Sequence, residues 1–325
     1  MSGQTSKVSA GSSIEPTHRE FSASQSESRQ APAANVLSDG AGGRSAGIGP
    51  SLLSQWESVE QMVEAESAFG GTVTTEDKPV ADSLQLDGAW ENQPSAEQLA
   101  QIERVSQQLE TAQPWEILSW TAQQFGDRFT VATAFGAEGM LILHWLSQVA
   151  PQTRIFNLDT GYQFPETLAM VGRIKQRYGL EIELVKPELT VTQYEQLHKG
   201  PVYRDRPDQC CNDRKMVPLK KRLTGARAWA SAIRRDQSPD RAKAPIVGWD
   251  RKFSLIKVSP LANWNKSQVW KTILEEDVPY NPLHDQGYPS VGCQPCTRCV
   301  MAGEDERAGR WSGSQKTECG LHTWT

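Results

Sequence analysis

The chain has 325 residues, a formal net charge of −5 and six cysteines. A net acidic balance argues against a general nucleic-acid or membrane-surface binder, and no run of about 18 apolar residues is present to cross a bilayer. No apolar signal-peptide core follows Met1, so a cytoplasmic location is expected. In a reducing compartment six cysteines point to metal or redox roles rather than to three disulfides.

Residues 1–50 are rich in Ser, Ala, Gly and Gln, with few large apolar side chains. Such a segment cannot bury enough surface to offset its ordering entropy and reads as disordered. Its acids Glu15, Glu20 and Glu27 argue against an organellar transit peptide. Residues 51–69 place Leu52, Leu53, Trp56, Val59 and Met62 near helical spacing. That predicts a short helix within an extension running to residue 94. A single folded domain is expected over 95–310, and residues 311–325 as a mobile tail.

The domain opens with a capping box, Ser95 with Gln98, ahead of Leu99, Ile102, Val105 and Leu109 at helical spacing. Pro114 starts a second helix through Phe125. Residues 128–133 read as a buried strand, 135–139 as a turn and 140–149 as a helix. A strand at 154–158, a helix at 165–178 and a strand at 181–185 follow. Next come a helix over 208–223, strands at 228–233 and 255–258, and a helix over 267–276 capped by Ser267. Strand and helix alternating at this spacing predict a parallel α/β sheet. Right-handed crossovers then gather the loops after the strands along one edge.

Two of those loops carry polar signals. Residues 133–138, TAFGAE, sit where a strand hands over to a helix. Backbone N–H groups there suit phosphate or sulfate, although a plain turn is the first reading of this stretch alone. The stretch lacks the Gly-Lys-Ser/Thr ending of a Walker A loop. Asp159, Thr160 and Gly161 follow the next strand, and the two loops together favour a nucleotide site.

The stronger signal is in the cysteines. Cys210 and Cys211 are adjacent, and Cys293 and Cys296 form a CxxC pair. Four thiolates match a [4Fe–4S] cluster or a structural zinc site. A vicinal pair departs from the CxxC spacing common at zinc sites, so iron–sulfur ranks first, zinc second and unrelated buried cysteines last. Cys299 extends the run and reads equally as a replacement for another ligand or as a small core residue. Arg204, Arg206, Arg214 and Lys215 flank the first pair, and Arg298, Arg307 and Arg310 follow the second. Basic residues beside each thiolate group in an acidic chain imply a multiply charged anionic ligand. Cys319, beside Gly320 and three residues before His322, becomes a nucleophile where such charge stabilises its thiolate.

Taken jointly and in order, seven stretches resemble one family. They are AFGAE (134–138), LDTG (158–161) with FPET (164–167), CCNDRK (210–215), RRDQSPDR (234–241), GCQPCTR (292–298), EDERAGR (304–310) and ECGLH (318–322). The resemblance is to the assimilatory adenylyl-sulfate reductases, the cluster-containing branch of the phosphoadenylyl-sulfate reductase family. It implies an α/β parallel-sheet domain of the adenine-nucleotide α-hydrolase type, Rossmann-like, with a mobile tail. It implies a [4Fe–4S] cluster on Cys210, Cys211, Cys293 and Cys296 that tunes electrostatics. It makes Cys319 the nucleophile that takes the sulfonate of adenylyl sulfate, expels AMP and is cleared of sulfite by thioredoxin or a similar dithiol. It places Lys215, Arg307 and Arg310 near the transferring sulfate and makes His322 a substrate-binding residue. Phe135, Gly136, Ala137, Asp159 and Thr160 would hold the nucleotide, and Arg235 and Arg241 its phosphate.

The chain departs from the family at Ala232, where glycine is usual, and at Cys299, where proline is frequent. The extension of roughly 90 residues lies outside the match. The rival readings are the same chemistry on 3′-phosphoadenylyl sulfate or on both substrates, and a non-catalytic zinc adaptor. An adenylating enzyme of the pyrophosphatase group would need a Ser-Gly-Gly-Lys-Asp-Ser-like loop, which is missing. No nucleic-acid or membrane partner is expected, and a homo-oligomer is left open.

Overall fold

The structure, a computed structural model, describes residues 80–313 together with Lys316, Glu318 and Gly320. The expected disordered extension up to residue 79, the helix over 51–69, Cys319 and His322 lie outside the described residues.

The domain begins earlier than the Ser95 boundary. Ala81, Leu84 and Leu86 are buried in the main core, as is Ala89 at the start of a short helix α1 (Ala89–Asn92). The run forms neither helix nor strand, and its backbone is satisfied by glutamine side chains instead of a neighbouring strand. Gln124 on α3 (Pro114–Phe125) exchanges both amide hydrogen bonds with the Leu84 backbone, at 3.0 and 3.3 Å. Gln101 on α2 (Ala96–Gln108) does the same for Ser83 and Gln85, at 3.0 and 3.1 Å. Buried peptide groups need such partners. A polar-looking segment can therefore pack through Leu84 and Leu86. The capping box of Ser95 and Gln98 is present as expected.

Six strands form one sheet in the order β3-β2-β1-β4-β6-β5. β1 (Phe129–Ala132), β2 (Arg154–Leu158), β3 (Ile182–Val185), β4 (Ala228–Ala230) and β6 (Leu255–Val258) run parallel. β5 (Val247–Asp250), which the sequence reading did not include, pairs antiparallel with β6. Its four residues are all buried, so no period-two alternation marks it. Successive side chains on β2 reach opposite faces. Ile155 joins the main core with Leu141 on α4 (Ala137–Val149), Met170 on α5 (Pro165–Tyr178) and Val269 on α10 (Lys266–Glu275). Phe156 joins a smaller core with Leu219, Leu223, Trp229 and Leu255.

Two further boundaries differ from expectation. Asn265, not Ser267, caps α10, accepting from the Gln268 N–H at 2.9 Å. The expected helix over 208–223 is three pieces. After α6 (Val191–His198) and α7 (Val202–Asp205) come α8 (Pro207–Cys211), a π-helical turn (Asn212–Met216) and α9 (Val217–Arg222). Pro218 has no N–H for the Arg214 carbonyl, and the Val217 N–H reaches back five residues to the Asn212 carbonyl. The widened turn lies directly after the cysteine pair.

Candidate active site

The parallel strands point their C-terminal ends to one edge of the sheet. The loops after β1, β2 and β4 meet residues 284–293 and 306–310 there, around an open crevice. Gly136 caps α4 in this wall, so the helix start turns free N–H groups and its positive dipole end toward the crevice. Phe135 takes up the turn's strain, with φ 56 in the left-handed region. Its ring is fully buried, and its N–H donates to Thr133 Oγ1 at 3.1 Å. A Cβ on Gly139 would lie 3.0 Å from Thr133 Oγ1 and 4.0 Å from the Cβ of Ala232, so the close approach is between the first turn of α4 and the turn after β1.

Four basic side chains line the crevice: Lys215, Arg241, Arg307 and Arg310. Arg241 donates to Glu318 Oε2 at 3.1 and 2.7 Å and to Gln237, and Arg307 donates to the same oxygen at 3.3 Å. Arg310 lies over the Trp311 ring at 4.5 Å and donates to Ser290 Oγ and the Val291 carbonyl, each at 3.4 Å. Polar atoms of Asn157, Gln163, Ser231 and His284 in the same wall are buried without a hydrogen-bond partner in the protein, groups a polar ligand would satisfy. Burial pushes the His284 imidazole below its ordinary pKa despite the Tyr288 carbonyl at its Nδ1.

Beside the crevice lies a second, much smaller cavity, lined by Cys210, Cys211, Cys293 and Cys296. α8 supplies the first pair and the loop ending in the Gln294–Cys296 turn supplies the second. Backbone bonds fix that loop: Gln294 N–H to the Tyr162 carbonyl at 2.7 Å and Trp311 N–H to the Cys296 carbonyl at 3.0 Å. Thr160 Oγ1 is 3.3 Å from Cys293 Sγ. Arg214 is buried between the rings of Tyr162 and Tyr194, at 5.3 and 5.1 Å. It also donates to the Thr160 carbonyl at 2.6 Å. Burial, and then the charge of the other three thiols, pushes Cys210 up to about 12. Burial, with Cys293 and Cys211, pushes Cys296 up to about 11. Thiols so crowded oppose one another's ionisation unless a cation or cluster offsets the charge. Among the described residues no group of three or more His, Cys, Asp or Glu is placed to hold a metal ion. The all-thiol donor set, with Arg214 and Lys215 alongside, fits the chemistry of an anionic iron–sulfur cluster.

The Phosphoadenosine phosphosulfate reductase domain profile matches residues 128–299, which spans the six-stranded sheet and the four clustered cysteines but ends before Arg307, Arg310 and Glu318. The chain belongs to this family. It is 44% identical over 222 residues to the adenosine 5'-phosphosulfate reductase of Halalkalibacterium halodurans, covering 68% of this chain and 96% of that one. It is 43% identical over 224 residues to the phosphoadenosine 5'-phosphosulfate reductase of Gloeobacter violaceus, covering 68% and 93%. The crystal structure of phosphoadenylyl-sulfate reductase from Candida auris, a phosphate complex, superposes with a TM-score of 0.55 at 27% identity. It covers 62% of this chain and 96% of that one.

Within the family framework, the structure brings together Gly136, Lys215, Arg241, Arg307 and Arg310 in the crevice wall. It places Cys210, Cys211, Cys293, Cys296 and Thr160 around the thiol cavity. Other expected residues stand apart. Phe135 and Ala137 are buried packing residues. The Asp159 carboxylate caps its own loop, accepting from the Gly161 N–H at 2.9 Å and pairing with Lys186 at 3.6 Å. Arg235, expected at the phosphate, instead grips Glu110 through two nitrogens and donates to the Ala244 carbonyl at 2.8 Å. Its neighbour Arg234 is the buried one, 3% exposed, paired with Glu138, Asp236 and Glu306. Glu138, Gln237, Glu306 and Glu318 also line the crevice and were not expected there. All four lie inside the matched stretches, but nothing in the stretches says which side chains turn inward. Among the described residues no helix is long and apolar enough to cross a membrane.

Proposed function

We propose that the chain reduces adenylyl sulfate to sulfite and AMP in sulfate assimilation, with thioredoxin or a similar dithiol as reductant. The observation that carries this reading is a shared wall. Lys215, Cys293 and Arg310 line both the basic crevice and the four-thiol cavity. A nucleotide in the crevice would present its charged end beside the thiols.

In this reading the Cys319 thiolate attacks the sulfate sulfur. An S–S bond forms as the S–O bond to the phosphate breaks, and that electron pair leaves on AMP. One thiolate of the dithiol then attacks Cys319 Sγ, and sulfite departs with the S–S electron pair. The second thiol resolves the mixed disulfide and restores Cys319. Both steps bring an anionic sulfur to an anionic centre, so Lys215, Arg307 and Arg310 would offset developing charge. The parts given to Cys319 and His322 rest on the ECGLH motif. Cys210, Cys211, Cys293 and Cys296 would hold the [4Fe–4S] cluster, which when bound supplies fixed charge beside the crevice. A cytoplasmic setting fits a chemistry that consumes reduced thiols.

Relatives named for each substrate match at 44% and 43% identity, so a second reading, use of both nucleotides, stands beside the first. The test is sulfite release by anaerobically purified protein with reduced thioredoxin, comparing adenylyl sulfate with its 3′-phosphorylated form, alongside iron and acid-labile sulfide analysis. Preference for adenylyl sulfate supports the proposal, and equal rates support dual use. Absence of sulfite from either, with zinc in place of iron, would sink both.

A further inference from the structure

Glu318 belongs to the C-terminal tail, yet its carboxylate lies inside the crevice. Its Oε2 accepts from Arg241 at 3.1 and 2.7 Å and from Arg307 at 3.3 Å. Both Arg241 and Glu318 side chains are only 7% exposed, and Arg307 is 14% exposed. Charge-assisted bonds of this kind gain strength where water is excluded. The two arginines are also the groups a phosphate or sulfate oxygen would need. A carboxylate held by paired guanidinium groups has the charge and planar geometry with which Arg receives an oxyanion.

We propose that Glu318 is a built-in competitor for the anion site: its carboxylate occupies the Arg241–Arg307 pair in the ligand-free chain, and an incoming nucleotide must displace it. The inference rests on the reading of the crevice as the nucleotide site. It extends that reading by coupling the tail to occupancy. Cys319 follows Glu318 in sequence, so displacement of Glu318 removes one tie of the chain next to it whenever the arginines take up ligand. A second anchor of this stretch is Lys316, whose ammonium pairs with Asp208 at the start of α8 and lies 5.4 Å from the Trp311 ring centroid. The tail is thus tied at the cysteine helix, at the crevice and at Lys252, whose Nζ donates to the Gly320 carbonyl at 2.7 Å; the crevice tie is the one that sits on the Arg241–Arg307 pair.

The affinity of a ligand for a site that is only fractionally open falls by that fraction. A plug filled nine-tenths of the time weakens apparent binding about tenfold. Glu318→Gln keeps the shape and removes the charge. Calorimetry with AMP on the full-length protein should therefore show Kd about tenfold lower in Glu318→Gln than in the unsubstituted chain. Sulfate, followed by thermal shift, should bind more tightly in the same direction. Trypsin cleavage after Lys316 should be accelerated by AMP in the unsubstituted chain, and should be fast in Glu318→Gln without AMP. Unchanged or weaker AMP binding in Glu318→Gln would overturn the proposal, as would protection of the Lys316 bond by AMP. Failure of both forms to bind AMP would remove the nucleotide reading, and the sulfate comparison would then decide the plug by itself.

Discussion

Gly292→Ala tests whether the position of Arg310 sets the rate. A Cβ at residue 292 would lie 2.2 Å from Arg310 Nη2 and 2.4 Å from its Cζ. The guanidinium must retreat by about 1.2 Å to reach the 3.4 Å of an ordinary contact. Gly292 does not occupy the left-handed region, so alanine imposes no backbone strain, and the clashing atoms are the far end of a long side chain. The fold should therefore tolerate the change, with a midpoint of thermal unfolding within about 2 °C of the parent, since a cost of a few tenths of a kcal/mol moves it little at this chain length. The site should not tolerate it. Arg310 lies between the crevice and the thiol cavity, where charge develops in the proposed sulfur transfer. A misplacement of about 1 Å can lower rate on the order of 100-fold, which is about 2.7 kcal/mol of transition-state stabilisation. Sulfite release at saturating thioredoxin gives kcat and kcat/KM directly. Parental turnover in Gly292→Ala would refute the assignment of Arg310 to the reaction. A loss of rate matched by a collapse of the unfolding midpoint would refute the claim that the effect is local.

Arg234→Ala should lower stability by about 3 kcal/mol, because a cation that is 3% exposed leaves Glu138, Asp236 and Glu306 behind. Arg235→Ala should lower it by no more than about 1 kcal/mol and keep turnover, since its pair with Glu110 is partly solvated, at 30% and 41% exposure; urea titration with an activity assay separates the two. Leu84→Ala should cost about 2 to 4 kcal/mol if residues 80–94 belong to the folded unit, as its 4% exposure indicates, whereas a removable extension predicts no change. The folded-state pKa of His284 lies below its unfolded value of 6.5, with burial as the main cause. Its contribution is therefore fully present above pH 6.5 and is lost as pH falls from there through the folded-state pKa; His284→Asn should flatten the stability–pH curve in that window, and an unchanged slope would count against it. Cys293→Ser should remove iron and labile sulfide, while Cys299→Ser, at an exposed position, should retain both by chemical analysis.

Much of the fold was legible because its physical signals are local. The capping box at Ser95, Pro114 at a helix start and the strand–helix alternation through Val185 all depend on neighbours a few residues apart. The four cysteines were legible as a set because thiols in a chain of this type have few other uses. Side-chain orientation was not legible. Arg234 and Arg235 are adjacent and chemically equal, and the turn after β4 sends one into the buried cluster of Glu138, Asp236 and Glu306 and the other to Glu110. The run at 80–87 looked like linker because its backbone partners are Gln101 and Gln124, a long way along the chain.

The sequence by itself determined the composition of the chemistry: thiols, guanidinium groups and a glycine-rich turn, in an order that marks the family. Only the tertiary structure decided which of them share a cavity. Proximity between Lys215, Cys293 and Arg310, or between Glu318 and Arg241, arises from chain crossings dozens of residues apart, and no short-range pattern encodes it. The same holds around the π-helical turn after Cys211: Pro218 denies the Arg214 carbonyl its donor, whereas the rings of Tyr162 and Tyr194 on either side of the Arg214 side chain are brought there by the fold alone.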